Sequence, residues 1–138
     1  MTDHRPAAQR ITVEPDPLAP YRIAAGYRVG ELVFLSGQAA IDDAGAIVGA
    51  GDFDAQADQV LANIARVLEA AGSSLARVIK VTIYLTDMAN FPKIVELRKR
   101  WGEPYPADTI LEVSALALPE LEIEIDVIAL CGDGEIAG

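Results

Sequence analysis

The chain has 138 residues, of which 51% are hydrophobic and 23% charged, and its formal net charge is −10. This length predicts one domain over residues 1–138, with flexible ends at 1–10 and 132–138. The excess of 21 acidic over 11 basic residues disfavours nucleic acids and acidic membranes as partners. No apolar run is long enough to span a bilayer, and residues 1–10 lack the apolar centre of a signal peptide. We therefore predict a cytoplasmic protein.

A β-hairpin is predicted to open the domain. Its strands cover residues 22–29 and 31–36, and the chain turns between them at Gly30. The second strand is apolar through its centre, which is typical of a strand that contacts a core.

A long amphipathic helix follows. Apolar residues recur at every third and fourth position from residue 53 to residue 71. Asp52 is the expected N-cap of this helix and Gly72 its C-terminal stop. Its polar face includes Gln56 and Asn63, and we expect that face to contact solvent.

An alternating strand and a second helix come next. Residues 78–86 place apolar side chains on one side and polar ones on the other, and the polar side is a candidate oligomer surface. The second helix is expected to begin with Asn90 as its cap and Pro92 in its first turn, with Phe91 among its apolar contacts.

Two acid-bearing strands close the chain. Residues 107–113 include Asp108 and Glu112, and residues 122–127 alternate three acids with three apolar residues. We predict that these strands pair as antiparallel neighbours, which would bring several carboxylates together. Acids in such a pattern most often form only the solvated face of a strand.

This order of elements predicts an α+β domain with a mixed β-sheet and two helices packed on one face. Because both helices cover the same face, the opposite face needs other cover, and an oligomer would provide it.

The sequence offers little for metal, disulfide or triad chemistry. His4 and Cys131 are the single histidine and the single cysteine. They cannot form a disulfide within the chain or a tetrahedral zinc site, and Ser36 has no histidine partner to activate it. The acids at 122–127 spread over about 13 Å, which is too far for one metal ion. We expect neither a metal nor a cofactor.

Four segments are recognisable when they are taken together: Ser36-Gly37-Gln38, VTIYLTDM at 81–88, Tyr105-Pro106-Ala107 and IEIDVIA at 123–129. In order and spacing, from about residue 20 to residue 130, they resemble the YjgF-type Rid (reactive intermediate deaminase) family. The resemblance implies a small chorismate mutase-like α+β domain that forms homotrimers, with small-molecule sites in the clefts between subunits. Many such proteins hydrolyse enamines and imines to a keto compound and ammonia.

One position departs from that family. In its deaminating members the last residue of the segment Tyr105-Pro106-Ala107-Asp108 is an arginine, which holds the carboxylate of a 2-imino acid. Aspartate at this position reverses the charge and removes every donor, so a 2-imino acid should be repelled. A nearby cysteine of many members is replaced by Ile110.

The resemblance also assigns roles to the retained residues. It makes Glu124 the acid that orients the attacking water, and Tyr21 the residue that closes or polarises the site. Asp108 would be the second catalytic acid. The substrate-binding residues implied are Ser36, Gly37, Phe91 and Ile110.

Three functional interpretations stay open. The first is an enamine or imine deaminase for a small neutral or cationic metabolite, with Asp108 paired to the substrate nitrogen and Glu124 as the base. The second is a non-catalytic trimer of the same fold that binds or senses a small molecule. The third is a scaffold protein whose cleft is vestigial.

Overall fold

A seven-stranded mixed sheet forms the centre of the fold in the computed structural model, which describes residues 6–138. The strand order is β1-β2-β3-β7-β5-β6, and the short β4 also pairs with β7. The strands are β1 Gln9–Ile11, β2 Gly26–Val29, β3 Leu32–Leu35, β4 Gln38–Ala39, β5 Val78–Leu85, β6 Ala107–Glu112 and β7 Ile123–Leu130. The α-helices of this part of the chain are α1 Phe53–Ala70 and α2 Phe91–Leu97. The predicted α+β fold, with two helices on one face of a mixed sheet, is confirmed.

The predicted hairpin is present as β2 and β3, which pair antiparallel across Gly30. Gly30 has a φ of +59°, a left-handed conformation that glycine adopts without strain. The first strand is shorter than predicted and begins at Gly26. Gln9 and Arg10, which were expected in a flexible end, pair with β2 as part of β1.

Helix α1 has the predicted ends. The Asp52 carboxylate accepts a hydrogen bond from the Ala55 backbone N–H at 3.1 Å, and Gly72 follows the helix with a φ of +77°. The prediction that Gln56 contacts solvent is wrong, because its side chain is fully buried. Gln56 instead satisfies backbone groups of two loops that pack against α1.

The predicted antiparallel pairing of the two acid-bearing strands is also wrong. Strand β5 lies between them, parallel to β6 and antiparallel to β7. The chain passes from β5 to β6 through α2, and a crossover of this kind joins parallel strands. Asp108 is opposite Val81 in the register, whereas Glu124 is opposite Tyr84. Because alternate residues face opposite sides, Asp108 points to the helix side of the sheet and Glu124 to the open side.

The open side of the sheet carries exposed apolar residues. Four of them are 37–44% exposed, and they come from β2, β3 and β6: Tyr27, Val29, Phe34 and Leu111. Isolated exposed apolar residues are ordinary, but a group on one sheet face marks a surface that another chain can cover. The homotrimer stays a prediction. No helix within residues 6–138 is long and apolar enough to cross a membrane.

Candidate functional site

A cleft of about 540 Å³ lies where the segment 17–23, the segment 36–41, the loop 117–121 and the start of β7 meet on one chain. Asn63 of α1 also contributes to its lining. The cleft brings together four of the residues that the sequence singled out: Tyr21, Ser36, Gly37 and Glu124. These residues belong to three separate elements, so the tertiary fold assembles the site.

Glu124 lies against the backbone of Gly37. A Cβ atom at position 37 would be 3.0 Å from the carboxyl carbon of Glu124 and 3.3 Å from its Cγ atom. Real Cβ atoms essentially never approach another heavy atom more closely than the first of these distances, and the nearer carboxylate oxygen is closer still. Glycine at this position is therefore what allows the carboxylate to occupy its place in the cleft.

The environment of Glu124 favours its protonated form. Partial burial raises the pKa of this carboxyl group above its ordinary value, and the negative charge of Asp126 on the same strand face raises it further. Glu124 has no side-chain hydrogen-bond partner within residues 6–138. A half-buried carboxyl group with a raised pKa and free oxygens is suited to exchanging protons with a bound molecule.

Tyr84 and Asp126 form a pair beside this carboxyl group. The Tyr84 hydroxyl donates a hydrogen bond to the Asp126 carboxylate at 3.0 Å, and this bond is the main reason that the pKa of Tyr84 is raised. Neither residue was among the predicted site residues. Their positions on the polar side of β5 and β7 were visible in the sequence, but the alternation alone gave no reason to choose them.

The other polar side chains of the cleft bind the protein backbone. Ser36 donates to the carbonyl of Ala24 at 2.5 Å, and the Gln38 amide donates to the carbonyl of Ser36 at 3.1 Å. The Asn63 amide donates to the carbonyls of Ala39 and Ile41 at 3.0 and 2.8 Å. Tyr21, by contrast, is 60% exposed at the mouth of the cleft. The polar side chains thus mainly fix the cleft's shape.

The remaining predicted site residues lie elsewhere on the same chain. Asp108 accepts two hydrogen bonds from Arg98, one from Nε and one from Nη2, each at 3.0 Å. The Arg98 guanidinium lies 5.6 Å from the centre of the Phe91 ring. Ile110 is partly buried against the core. None of Phe91, Asp108 and Ile110 lines the cleft of its own chain, so Asp108 and Glu124 do not form a carboxylate pair within one chain.

Arg98, which holds Asp108, is not among the site residues predicted from the sequence. Its partner lies ten residues away on a different element, and no local pattern indicates such a pairing. Within the described part of the chain, no three histidine, cysteine or acidic side chains are grouped closely enough to hold a metal ion.

Comparison with known proteins identifies relatives along nearly the whole chain. A family model described as endoribonuclease L-PSP matches residues 11–131. A RutC family protein of Pyrococcus horikoshii is 45% identical over 116 residues, which are 83% of this chain and 90% of that protein. The chloroplastic Reactive Intermediate Deaminase A of Arabidopsis thaliana is 38% identical over 83% of this chain and 60% of that protein. The crystal structure of RidA from an Antarctic Psychrobacter species has a TM-score of 0.80 and 35% identity, and the match covers 88% of this chain and 98% of that one.

Proposed function

Since the chain belongs to the YjgF/Rid family, whose model matches residues 11–131, we propose that it hydrolyses a small neutral enamine or imine that carries no carboxylate. The observation that carries the proposal is the half-buried Glu124 carboxyl group, with its raised pKa, in a cleft of about 540 Å³. This volume is in the range of small-molecule sites. A relative is named for deamination of reactive intermediates.

The reaction requires one proton acceptor that can return its proton. Glu124, when ionised, takes a proton from water as the oxygen attacks the imine carbon, and it passes that proton to the imine nitrogen, which gives a neutral carbinolamine. Glu124 then takes the hydroxyl proton of the carbinolamine and returns it to the nitrogen as the C–N bond breaks, so that a carbonyl compound and ammonia leave. The sum is one imine and one water converted to one carbonyl and one ammonia. A carboxylate with a raised pKa is a stronger base than an ordinary one, and its protonated form can still return the proton.

The absence of a carboxylate on the substrate follows from the charges around the site. No lysine, arginine or histidine lines the cleft among residues 6–138. By the family resemblance, deaminating members carry arginine at the position of Asp108. In this chain Asp108 accepts two hydrogen bonds from Arg98. Within one chain, a 2-imino acid would meet the Glu124 carboxyl group without a cation to hold it, and the Arg98 guanidinium is already paired with the Asp108 carboxylate.

The same pair argues for a neutral substrate over a cationic one. Both oxygens of Asp108 already accept hydrogen bonds from Arg98, and the side chain is only 18% exposed. Binding a substrate cation at Asp108 would require breaking this pair. Glu124 remains the group that contacts the substrate nitrogen.

We further propose that the active form is a homotrimer whose clefts are completed by the neighbouring subunit. The open sheet face, with exposed Tyr27, Val29 and Phe34, supports burial against another chain. In this arrangement Phe91, Asp108 and Ile110 of one subunit would border the cleft of the next, as the family resemblance implies. We expect no nucleic-acid partner despite the family model's description, because a net charge of −10 opposes contact with a phosphate backbone.

The test is imine hydrolysis in the native protein and in Glu124→Gln. The imine is ethanimine, formed in place by an amine oxidase acting on ethylamine, with catalase present. Hydrolysis is read as loss of semicarbazone formation. Glu124→Gln should lose at least 100-fold in kcat/KM (about 2.7 kcal/mol). Glu120→Gln, which removes the same charge outside the cleft lining, should leave the rate unchanged.

Full activity in Glu124→Gln would exclude Glu124 as the base. A native protein that binds the carbonyl product but does not accelerate hydrolysis would favour the alternative, a trimer that binds or senses a small molecule without converting it.

A further inference from the structure

The cleft is divided into a polar end and an apolar wall. Glu124 and the backbone at Gly37 form the polar end. The wall is built mainly from aliphatic side chains of three segments: Pro17, Leu18, Ile23, Ile41, Leu118 and Leu121. A molecule with its nitrogen at Glu124 would have its remaining atoms against these side chains.

Gln56 fixes the loop that carries Leu118 and Leu121 of the wall. Its buried amide donates to the Glu120 carbonyl at 2.8 Å and accepts from the Glu122 N–H at 2.8 Å. Between these anchors, the Leu121 N–H bonds the Leu118 carbonyl at 3.1 Å. A surface fixed in this way does not have to be ordered when a ligand binds, so more of the apolar contact contributes to affinity.

The wall offers little to a polar substituent. The amide and hydroxyl donors of Ser36, Gln38 and Asn63 are directed to backbone carbonyls. Within residues 6–138 the Tyr21 hydroxyl has no hydrogen-bond partner, but it lies at the exposed mouth. A polar group on the substrate would lose its water at the wall without gaining a partner, which is unfavourable.

We propose that the cleft selects imines and enamines whose carbon carries a bulky aliphatic or aromatic group, bound against the wall formed by Pro17, Leu18, Ile23, Ile41, Leu118 and Leu121. This inference rests on the proposed function and specifies its substrate class. Each methylene group that becomes fully buried should raise kcat/KM by about fourfold. Imines formed from branched or aromatic primary amines are therefore better substrates than the smallest ones.

A series of imines from one oxidase tests this. Ethylamine, 3-methylbutylamine and 2-phenylethylamine give aldimines that differ only in the apolar group. We expect kcat/KM to rise at least tenfold from ethanimine to either of the larger imines. Leu118→Ala should reduce that advantage at least threefold. The control is Leu116→Ala, a partly buried leucine of the same loop that does not line the cleft, and it should leave the ratio unchanged.

Binding of ketones, as unreactive analogues of the aldehyde products, separates this inference from the proposed activity. Acetone and 4-methylpentan-2-one differ by the same apolar group, and their affinities can be compared by NMR titration. Tighter binding of the larger ketone, lost in Leu118→Ala, supports the apolar site even if no imine is hydrolysed. Equal kcat/KM across the imine series would overturn the inference while leaving the proposed activity in place. If no imine is hydrolysed and the ketones bind equally, both fail.

Discussion

Replacing Gly37 with alanine should disable the cleft without unfolding the protein. The added Cβ would be 3.0 Å from the Glu124 carboxyl carbon, whereas carbon atoms pack best at about 3.5–4.0 Å. The carboxyl group must therefore move by about 0.5–1 Å. It is the end of a flexible side chain, and the φ of Gly37 is not in the left-handed region, so the backbone accepts alanine.

The expected loss follows from that displacement. A catalytic group misplaced by about 1 Å can cost about 100-fold in rate. We therefore expect kcat/KM for ethanimine to fall about 10- to 100-fold, which is about 1.4–2.7 kcal/mol of transition-state stabilisation. The melting temperature should stay within about 2 °C of the native value, because the clash can be relieved by side-chain rotation.

Gly26→Ala is the matched control. Its Cβ would be 2.5 Å from the Phe34 carbonyl oxygen, a backbone atom in the paired strand β3 that cannot rotate away. Overpacking of this kind costs about 1–3 kcal/mol, so this variant should melt several degrees lower. If Gly37→Ala keeps full activity, or if it loses stability as Gly26→Ala does, the explanation of Gly37 as the residue that makes room for Glu124 is refuted.

Three further predictions test the surroundings of the site. Glu124 must be ionised to act as the base, so kcat/KM should rise as the pH rises through its raised pKa. Asp126→Asn removes a negative charge that raises this pKa. In a pH–rate profile, the rise in kcat/KM should therefore shift to lower pH in this variant. Gln56→Ala leaves buried backbone groups of two loops unpaired and should cost about 2–4 kcal/mol in denaturant unfolding; an unchanged midpoint would contradict its anchoring role. Arg98→Ala frees the Asp108 carboxylate. Because the pair is partly exposed, we expect the free energy of unfolding to change by less than about 1 kcal/mol. We also expect this variant to bind small organic cations measurably, which the native protein should not do.

Local signals were sufficient for most of the elements. Asp52 and Gly72 are the expected cap and stop of a helix, and they mark the ends of α1 in the structure. The alternation at 78–86 and 122–127 likewise predicted β5 and β7. Each of these features depends on residues close together in the chain, and so it can be seen in the sequence pattern.

Contacts between distant segments could not be predicted in the same way. The pattern of two acid-bearing strands contains no information on which strand lies between them. Gln56 occupies a polar position on the helical wheel, yet it is buried because its partners at 120 and 122 need hydrogen bonds. The Arg98–Asp108 pair joins a helix end to an edge strand, and only the fold brings these two residues together.

The candidate site also combines features that the sequence predicted with features that only the fold shows. Tyr21, Ser36, Gly37 and Glu124 were chosen from a resemblance between sequences, and they share one cleft because β4 and the segment before β2 border β7. No pattern in the sequence indicates that the rest of the cleft is apolar. The residues of that wall are spaced over a hundred positions and form one surface only in the folded chain.

The central claim is that the cleft converts imines without a carboxylate in preference to 2-imino acids. Ethylamine and alanine give imines that differ only by that carboxylate, ethanimine and 2-iminopropionate. The most direct measurement is the ratio of their kcat/KM values with the native protein, with Asp108→Arg measured beside it. Our account predicts that ethanimine is favoured at least tenfold and that Asp108→Arg moves the ratio toward 2-iminopropionate. A native protein that prefers 2-iminopropionate would contradict the account, because a cation not present in the described cleft would then have to hold the carboxylate.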